Sequence, residues 1–233
     1  MQKLTRRQFL KGAAAAVAAC GMGAYLFPTW QKSADPPKKT GAHSRHALYY
    51  ERAGDAVRCL LCPHGCEIAE GQRGICRVRE NVGGDLISRV FGNPCAVHVD
   101  PIEKKPLFHF LPSSRSFSIA TAGCNLRCLN CQNWQISQSP PEDTVNDDLP
   151  PEKVVGKASS AGCASIAYTY SEPIVFYEYM YETARKAADA GIKNVWVTAG
   201  YINQRPLERL ATVLDGANVD LKSMSDDIYQ KLN

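Results

Sequence analysis

Acidic residues are nearly missing from the first fifty positions. Asp35 stands alone there against eight Lys and Arg, whereas residues 51–233 carry 19 basic against 22 acidic residues. The net charge of +4 therefore belongs to the start of the chain. The body lacks the basic patch or stripe that binding to phosphate backbones needs, which excludes nucleic acid as a general partner. The start also lacks a comfortable membrane span of ~20 residues, since its apolar run, Ala13–Phe27, is shorter. No clear Ala-x-Ala cleavage site follows that run. The body has no Gly-x-Gly-x-x-Gly after its first strand, so a dinucleotide-binding sheet loses support. With 45% hydrophobic and 21% charged residues, wholesale disorder, collagen and coiled coil are excluded.

What is abundant is cysteine. Ten are present, and seven form two tight groups, Cys59/Cys62/Cys66/Cys76 and Cys124/Cys128/Cys131. Disulfides are the usual reading in an exported protein. Thiols this crowded in two short loops point instead to metal ligation.

The chain divides into four segments. Residues 1–30 read as an export signal or anchor, with Thr5-Arg6-Arg7-Gln8-Phe9-Leu10-Lys11 ahead of the apolar run. The paired arginines followed by Phe-Leu-Lys resemble a twin-arginine signal. Val17-Ala18-Ala19-Cys20 offers a lipidated Cys20 as a minority alternative to an anchor at Ala13–Phe27. Residues 31–47 are a polar, Pro-containing linker. A cysteine-rich subdomain follows at 48–112, and from 113 onward strands and helices alternate.

Strands are expected at Ser116–Ala122, Ser165–Tyr170, Asn194–Ala199 and Val219–Leu221. Helices are expected at Pro151–Ala161, from Ser171 to about Ala190, and at Arg205–Leu214 and Asp226–Leu232. This βαβ pattern implies parallel strands. The chemistry sits just after the strand C-termini, which favours a (βα) barrel over an open doubly wound sheet. Four strands are fewer than closure needs. The expected fold is thus α/β, a partial parallel barrel whose later βα units would follow Asn233.

Cys124-Asn-Leu-Arg-Cys128-Leu-Asn-Cys131 has C-x3-C-x2-C spacing directly after the first of those strands. Three thiolates can hold three corners of a [4Fe–4S] cluster and leave one iron open, whereas an electron-transfer ferredoxin uses four cysteines. An open position is what separates a catalytic from a closed metal site. This loop in a βα chain is similar to the radical S-adenosylmethionine (SAM) superfamily motif. The resemblance implies that the open iron binds SAM, and that one electron cleaves its sulfonium C–S bond to give methionine and a hydrogen-abstracting 5′-deoxyadenosyl radical. It also implies that the residue before the third cysteine lies near the adenine. That residue is Asn130 here, where the superfamily usually has an aromatic, so Trp134 is a candidate to stack on the adenine.

Ser171-Glu172-Pro173 resembles the superfamily segment that hydrogen-bonds the methionine amine, a role suited to the Glu172 carboxylate. The same residues also read as an ordinary helix cap. Thr198, at the end of the third strand, is a further candidate contact to the cofactor. Asp220-Leu221-Lys222 resembles glycyl-radical activating enzymes, which implies Asp220 and Lys222 near the methionyl part of SAM. A solvated Lys222 is the plainer alternative.

Cys59, Cys62, Cys66 and Cys76 supply four ligands, enough to close a structural Zn²⁺ site or a second, fully ligated cluster. Together with Asp100-Pro-Ile-Glu-Lys-Lys-Pro-Leu-Phe-His-Phe110 and the loop through Trp134, they resemble the AmmeMemoRadiSam-system radical enzyme, a family similar to pyruvate formate-lyase activating enzyme. The implied partners are an electron donor and a protein or small-molecule substrate. The competing function is a non-catalytic iron–sulfur or zinc protein, a carrier or scaffold. The leader predicts a periplasmic or membrane-associated location, and the SAM chemistry a cytoplasmic one.

Overall fold

The computed structural model describes residues 43–232. The leader, Cys20 and most of the linker lie outside the described residues, and so do the two anchoring alternatives.

The elements follow in chain order. Six short strands come first: β1 (Arg45–His46), β2 (Tyr50–Ala53), β3 (Ala56–Cys59), β4 (Glu67–Ile68), β5 (Arg79–Val82) and β6 (Asp85–Ser88). They pair antiparallel into two three-stranded sheets, β1-β6-β5 and β2-β3-β4. Two tight connections, Gly54 and Gly83-Gly84, turn at positive φ, a conformation glycine adopts without steric cost.

Next come β7 (Ala96–Pro101), β8 (Arg115–Ala120), α1 (Trp134–Ser137), α2 (Pro151–Ser160) and β9 (Ser165–Tyr168). They are followed by α3 (Tyr177–Asp189), β10 (Lys193–Thr198), α4 (Gln204–Ala211), β11 (Gly216–Val219) and α5 (Asp226–Leu232). The main sheet has the order β11-β10-β9-β8-β7. β8 through β11 run parallel, and β7 pairs antiparallel with β8, Val97 opposite Ile119. The fold is therefore mixed α/β, and among the described residues its sheet is open, edged by β7 and β11.

This corrects the expectation of an all-parallel array in one respect. The fifth strand comes from the stretch just ahead of the βα pattern, where His98, Asp100 and Pro101 break up the apolar run of Ala96–Pro101. Its Pro sits at the strand's end on an edge, where the missing N–H costs no ladder bond.

Both faces of the sheet are covered, so its strands read as near-continuous small or apolar runs. Phe117, Ile166, Ile119, Tyr168 and Trp196 turn to one face and pack with Val154 and Ala158 of α2 and Met180 and Ala184 of α3. The 180/184/187 spacing on α3 places Met180, Ala184 and Ala187 on one buried stripe. On the opposite face Ala167 and Val195 meet Ile102, Leu107 and Phe110. The Asp100–Phe110 stretch thus covers one face of the sheet.

Two element boundaries differ from the sequence expectation for physical reasons. Glu172 precedes a proline and is extended (φ −72°, ψ 114°), since the ring of Pro173 disfavours the helical region for its neighbour. A 3₁₀ turn at Pro173–Phe176 follows, and α3 begins only at Tyr177. β11 ends at Val219 because its register pairs Val219 with Thr198, the last residue of β10. That leaves Asp220-Leu221-Lys222 beyond the sheet.

The amino-terminal sheets are fastened to the main unit by a buried ion pair. Arg79 Nη2 donates to Glu178 Oε1 at 2.8 Å and to the Leu48 carbonyl at 2.7 Å, and Glu178 also accepts from the Leu48 N–H at 2.7 Å. Arg79 is 1% and Glu178 6% exposed, so the pair lies in the interface itself.

Candidate active site

The three-cysteine loop leaves β8 through Thr121-Ala122-Gly123. Gly123 has φ +88°, and a Cβ there would overlap the Cys76 carbonyl oxygen and lie 2.6 Å from Val78 Cγ1. Only glycine lets the loop pass so close to the cysteine-rich sheets. The loop then folds on itself. Leu126 N–H donates to Cys124 Sγ at 3.4 Å, Cys131 N–H to the Cys128 carbonyl at 3.2 Å, and Gln138 Nε2 to the Leu126 carbonyl at 3.0 Å. Cys131 Sγ lies 3.3 Å from Ser137 Oγ. Cys124 is buried, while Cys128 and Cys131 are half-buried. Burial, with the Glu172 carboxylate adding to it, pushes the Cys124 thiol up to about 12. Cys128 is raised too, mainly by burial, with Lys222 opposing.

Glu172 closes one side. Its carboxylate accepts from Thr198 Oγ1 and, at 2.8 Å, from the Ala199 N–H. Thr198 Oγ1 in turn accepts from the Gly200 N–H at 2.9 Å. Burial pushes the Glu172 carboxyl up to about 7, against the hydrogen bonds from Thr198, Ala199 and Ile174 that favour its ionised form. Lys222 stands on the other side, paired with Asp220. Burial pulls the Lys222 ammonium down, but the Asp220 hydrogen bond and charge, with Cys128 and Glu172, outweigh it and raise it overall. Cys124 feels Glu172 and Cys128, Cys128 feels Lys222 and Asp220, and Lys222 feels Glu172, so these groups form one connected set past the C-terminal ends of β8, β9 and β11.

The remaining sequence candidates occupy distinct places. Ser171 is buried, and its hydroxyl donates to the Thr121 carbonyl at 2.8 Å, tying the end of β9 to the start of the loop. Asn130 is exposed. Trp134 is 61% exposed, so it is no core aromatic.

Cys59, Cys62, Cys66 and Cys76 line one cavity. Burial pushes Cys62 up to about 11 and Cys76 to about 12. No disulfide joins any of the nine described cysteines. As placed, no three His, Cys, Asp or Glu side chains among the described residues converge tightly enough to clasp a single ion.

Sequence reasoning missed several residues around the site. Tyr170 has φ +67°, unusual for a residue with a Cβ, and its carbonyl accepts from Asn133 Nδ2 at 2.9 Å. Its hydroxyl donates to Asp100, which also receives Lys105 Nζ at 2.7 Å. Asp100 is held well below the ordinary carboxylate range despite burial, because Lys104, Lys105 and Tyr170 all donate to it. The Asp100-Pro-Ile-Glu-Lys-Lys run was visible in sequence, but only the fold brings it to Tyr170.

Comparison with known proteins gives this geometry a family. Residues 118–233 match the radical SAM superfamily model. The chain carries a radical SAM superfamily domain. Proteins of that superfamily are iron–sulfur enzymes that cleave SAM with a [4Fe–4S] cluster. The donor set fits such a group. Three thiols lie on one loop, and a cubane spreads its cysteines wider than a single ion does. Glu172 is a buried carboxylate whose hydrogen-bonded partners are neutral, and Lys222 is a cation nearby, which together complement an amino-acid zwitterion.

Residues 3–23 match the twin-arginine translocation signal, which supports export, and no described helix is long and apolar enough to cross a membrane. An uncharacterized protein of Methanocaldococcus jannaschii is 47% identical over 189 residues, 81% of this chain and 56% of that protein. An AdoMet-dependent heme synthase of Methanosarcina barkeri is 28% identical over 109 residues, 43% of this chain and 30% of that protein. A second uncharacterized M. jannaschii protein is 25% identical over 182 residues, 75% and 48% of the two chains. The chain spans about half, or less, of the length of these curated relatives.

Proposed function

We propose that this radical SAM domain binds its cluster through Cys124, Cys128 and Cys131 and binds SAM between Glu172 and Lys222. The enzyme abstracts hydrogen from a protein or small-molecule substrate, in the manner of the AmmeMemoRadiSam and pyruvate formate-lyase activating families, with a separate electron donor. The observation that carries this reading is the meeting of the three-cysteine loop with Glu172 and Asp220/Lys222 at the strand ends. When bound, cluster and SAM supply one-electron cleavage of the sulfonium C–S bond.

Each residue then has a task. Glu172, oriented by Thr198 and Ala199, accepts from the methionyl amine. Lys222, steadied by Asp220, faces the methionyl carboxylate. Ser171 holds β9 against the loop, and Trp134 and Asn130 are the residues that would flank the adenine.

The test is anaerobic reconstitution, reduction and assay for 5′-deoxyadenosine. Cys124→Ala, Cys128→Ala and Cys131→Ala should each abolish it, and activity retained in two of the three would refute the assignment. One observation favours a second reading, a non-catalytic iron–sulfur carrier. The chain bears an export signal at residues 3–23, and SAM is a cytosolic metabolite. A reduced-cluster signal unaffected by SAM would support the carrier.

A further inference from the structure

A buried charged cluster lies at the end of β7, away from the cysteines. Asp100 stands opposite Ser116 in the β7–β8 register, so both point to the sheet face away from α2 and α3. That face is otherwise lined by Ile102, Ala167 and Val195, with Leu107 and Phe110 against them. Asp100, 6% exposed, accepts there from Nζ of the 1% exposed Lys105 at 2.7 Å and from Lys104 Nζ at 2.9 Å.

A buried ion pair in such a layer gives little net stability, because desolvation offsets the attraction. What it gives here is a fixed place for a third group. The Tyr170 hydroxyl donates to Asp100 and accepts from Lys105 Nζ at 3.2 Å. Lys105 Nζ also stands 4.5 Å from the centre of the Tyr170 ring, and His98 meets that ring edge-on at 5.7 Å.

The backbone of Tyr170 needs such holding. At φ +67° a residue with a Cβ is in a region that it leaves unless its surroundings keep it there. In that conformation its carbonyl accepts from Asn133 Nδ2 at 2.9 Å, and a change of φ or ψ would aim the carbonyl elsewhere. Asn133 is where the cysteine loop becomes α1. Its carbonyl accepts from the N–H groups of Ile136 at 3.1 Å and Ser137 at 3.0 Å. α1 then backs the loop at both ends. The Ile136 carbonyl accepts from the Gly123 N–H at 2.9 Å, and Ser137 Oγ lies 3.3 Å from Cys131 Sγ. Contacts thus run unbroken from Asp100 to Cys131.

We propose that Asp100 and Tyr170 are positioning residues: Asp100 holds the Tyr170 hydroxyl, Tyr170 holds Asn133, and Asn133 sets the turn that places Cys131 against its cofactor. The hold on Asn133 stands on the contacts alone; its consequence for SAM rests on the assignment of Cys124, Cys128 and Cys131.

Tyr170→Phe tests it, because it keeps the ring and leaves the Asp100–Lys105 pair intact, whereas Asp100→Ala would strand a buried lysine. In the full chain, amide hydrogen exchange should quicken about tenfold at Gly123, Ile136, Ser137 and Gln138, with the amides of α3 unchanged. No change at those four amides would overturn the proposal. So would an equal rise in α3, which would show a merely global loss of stability. In the reconstituted, reduced protein, titration of the cluster EPR signal with SAM should show Tyr170→Phe and Asn133→Ala each binding about tenfold more weakly. Because the two residues act in series, the double variant should bind no more weakly than Asn133→Ala alone. Losses that multiply to about a hundredfold, or unchanged affinity in Tyr170→Phe, would overturn the role at the cofactor. An unmutated chain that holds iron but ignores SAM would sink the SAM reading instead, and the exchange experiment would still decide the hold on Asn133. Should Tyr170→Phe fail to fold, Asp100→Asn, which keeps an acceptor without its charge, is read the same way.

Discussion

Replacing Glu172 by Gln changes one oxygen for an NH₂ at a place where the charge of the carboxylate decides binding. The Glu172 carboxyl titrates near 7 because burial outweighs the hydrogen bonds from Thr198 and Ala199. Below that value it holds a proton, and a protonated carboxyl cannot pair with the methionyl amine as an anion. Near pH 6 only about one molecule in ten is ionised, so SAM affinity should be about tenfold weaker than near pH 8, about 1.4 kcal/mol. The glutamine variant should bind SAM about 10- to 150-fold more weakly than the unmutated enzyme at pH 8, the loss of one charge-assisted hydrogen bond. Its affinity should no longer change between the two pH values through this group.

Stability moves the other way. Between the ordinary carboxylate range and about 7, the folded chain keeps a proton that the unfolded chain has released. The SAM-free protein therefore loses stability as pH rises through that window, and the loss levels off above it. Equilibrium dialysis of SAM against the reconstituted protein at both pH values is the assay. Equal affinities at the two, or a glutamine variant that binds as well as the unmutated chain, would refute the reasoning.

Gly123→Ala should destabilise the fold by about 2–4 kcal/mol, since it adds a methyl against the Cys76 carbonyl and Val78 at a positive φ; chemical denaturation measures it, and a cost below about 1 kcal/mol would show that the contact yields. Glu178→Ala should cost about 3–5 kcal/mol, because Arg79 and the Leu48 N–H lose a buried partner together; the same denaturation assay checks it. Arg6→Lys/Arg7→Lys should hold the protein in the cytosol while the unmutated chain is exported. Fractionation in which both forms stay cytosolic would show that the leader is no address.

The βα rhythm from residue 116 onward was legible because each strand is a short buried run and each helix carries its own punctuation, such as Pro151 and Gly191. The cysteine groups and Glu172 were legible because their spacing carries chemistry. β7 was not, since six residues on an edge need only their partner to become a strand. Tyr170 also escaped notice, because nothing local marks a tyrosine for a left-handed backbone. Asn133 and Asp100, far apart in sequence, hold it there. The Arg79–Glu178 pair was hidden for the same reason, being two ordinary charges until 99 residues of chain bring them together.

The way the amino-terminal sheets are fastened also sets an order of events during synthesis. Leu48 and Arg79 emerge from the ribosome long before Glu178, and Leu60 and Leu61 long before Asn203, which bonds to both of their carbonyls. The first-made part is thus the last to be stapled, and until then its cysteines and unpaired strand edges are open to other chains. Contacts of such long sequence separation make folding slow and leave incomplete forms prone to association. For a leader that addresses a route for folded cargo, the closure of Asn203 onto Leu60 and Leu61 belongs to the folding that precedes departure.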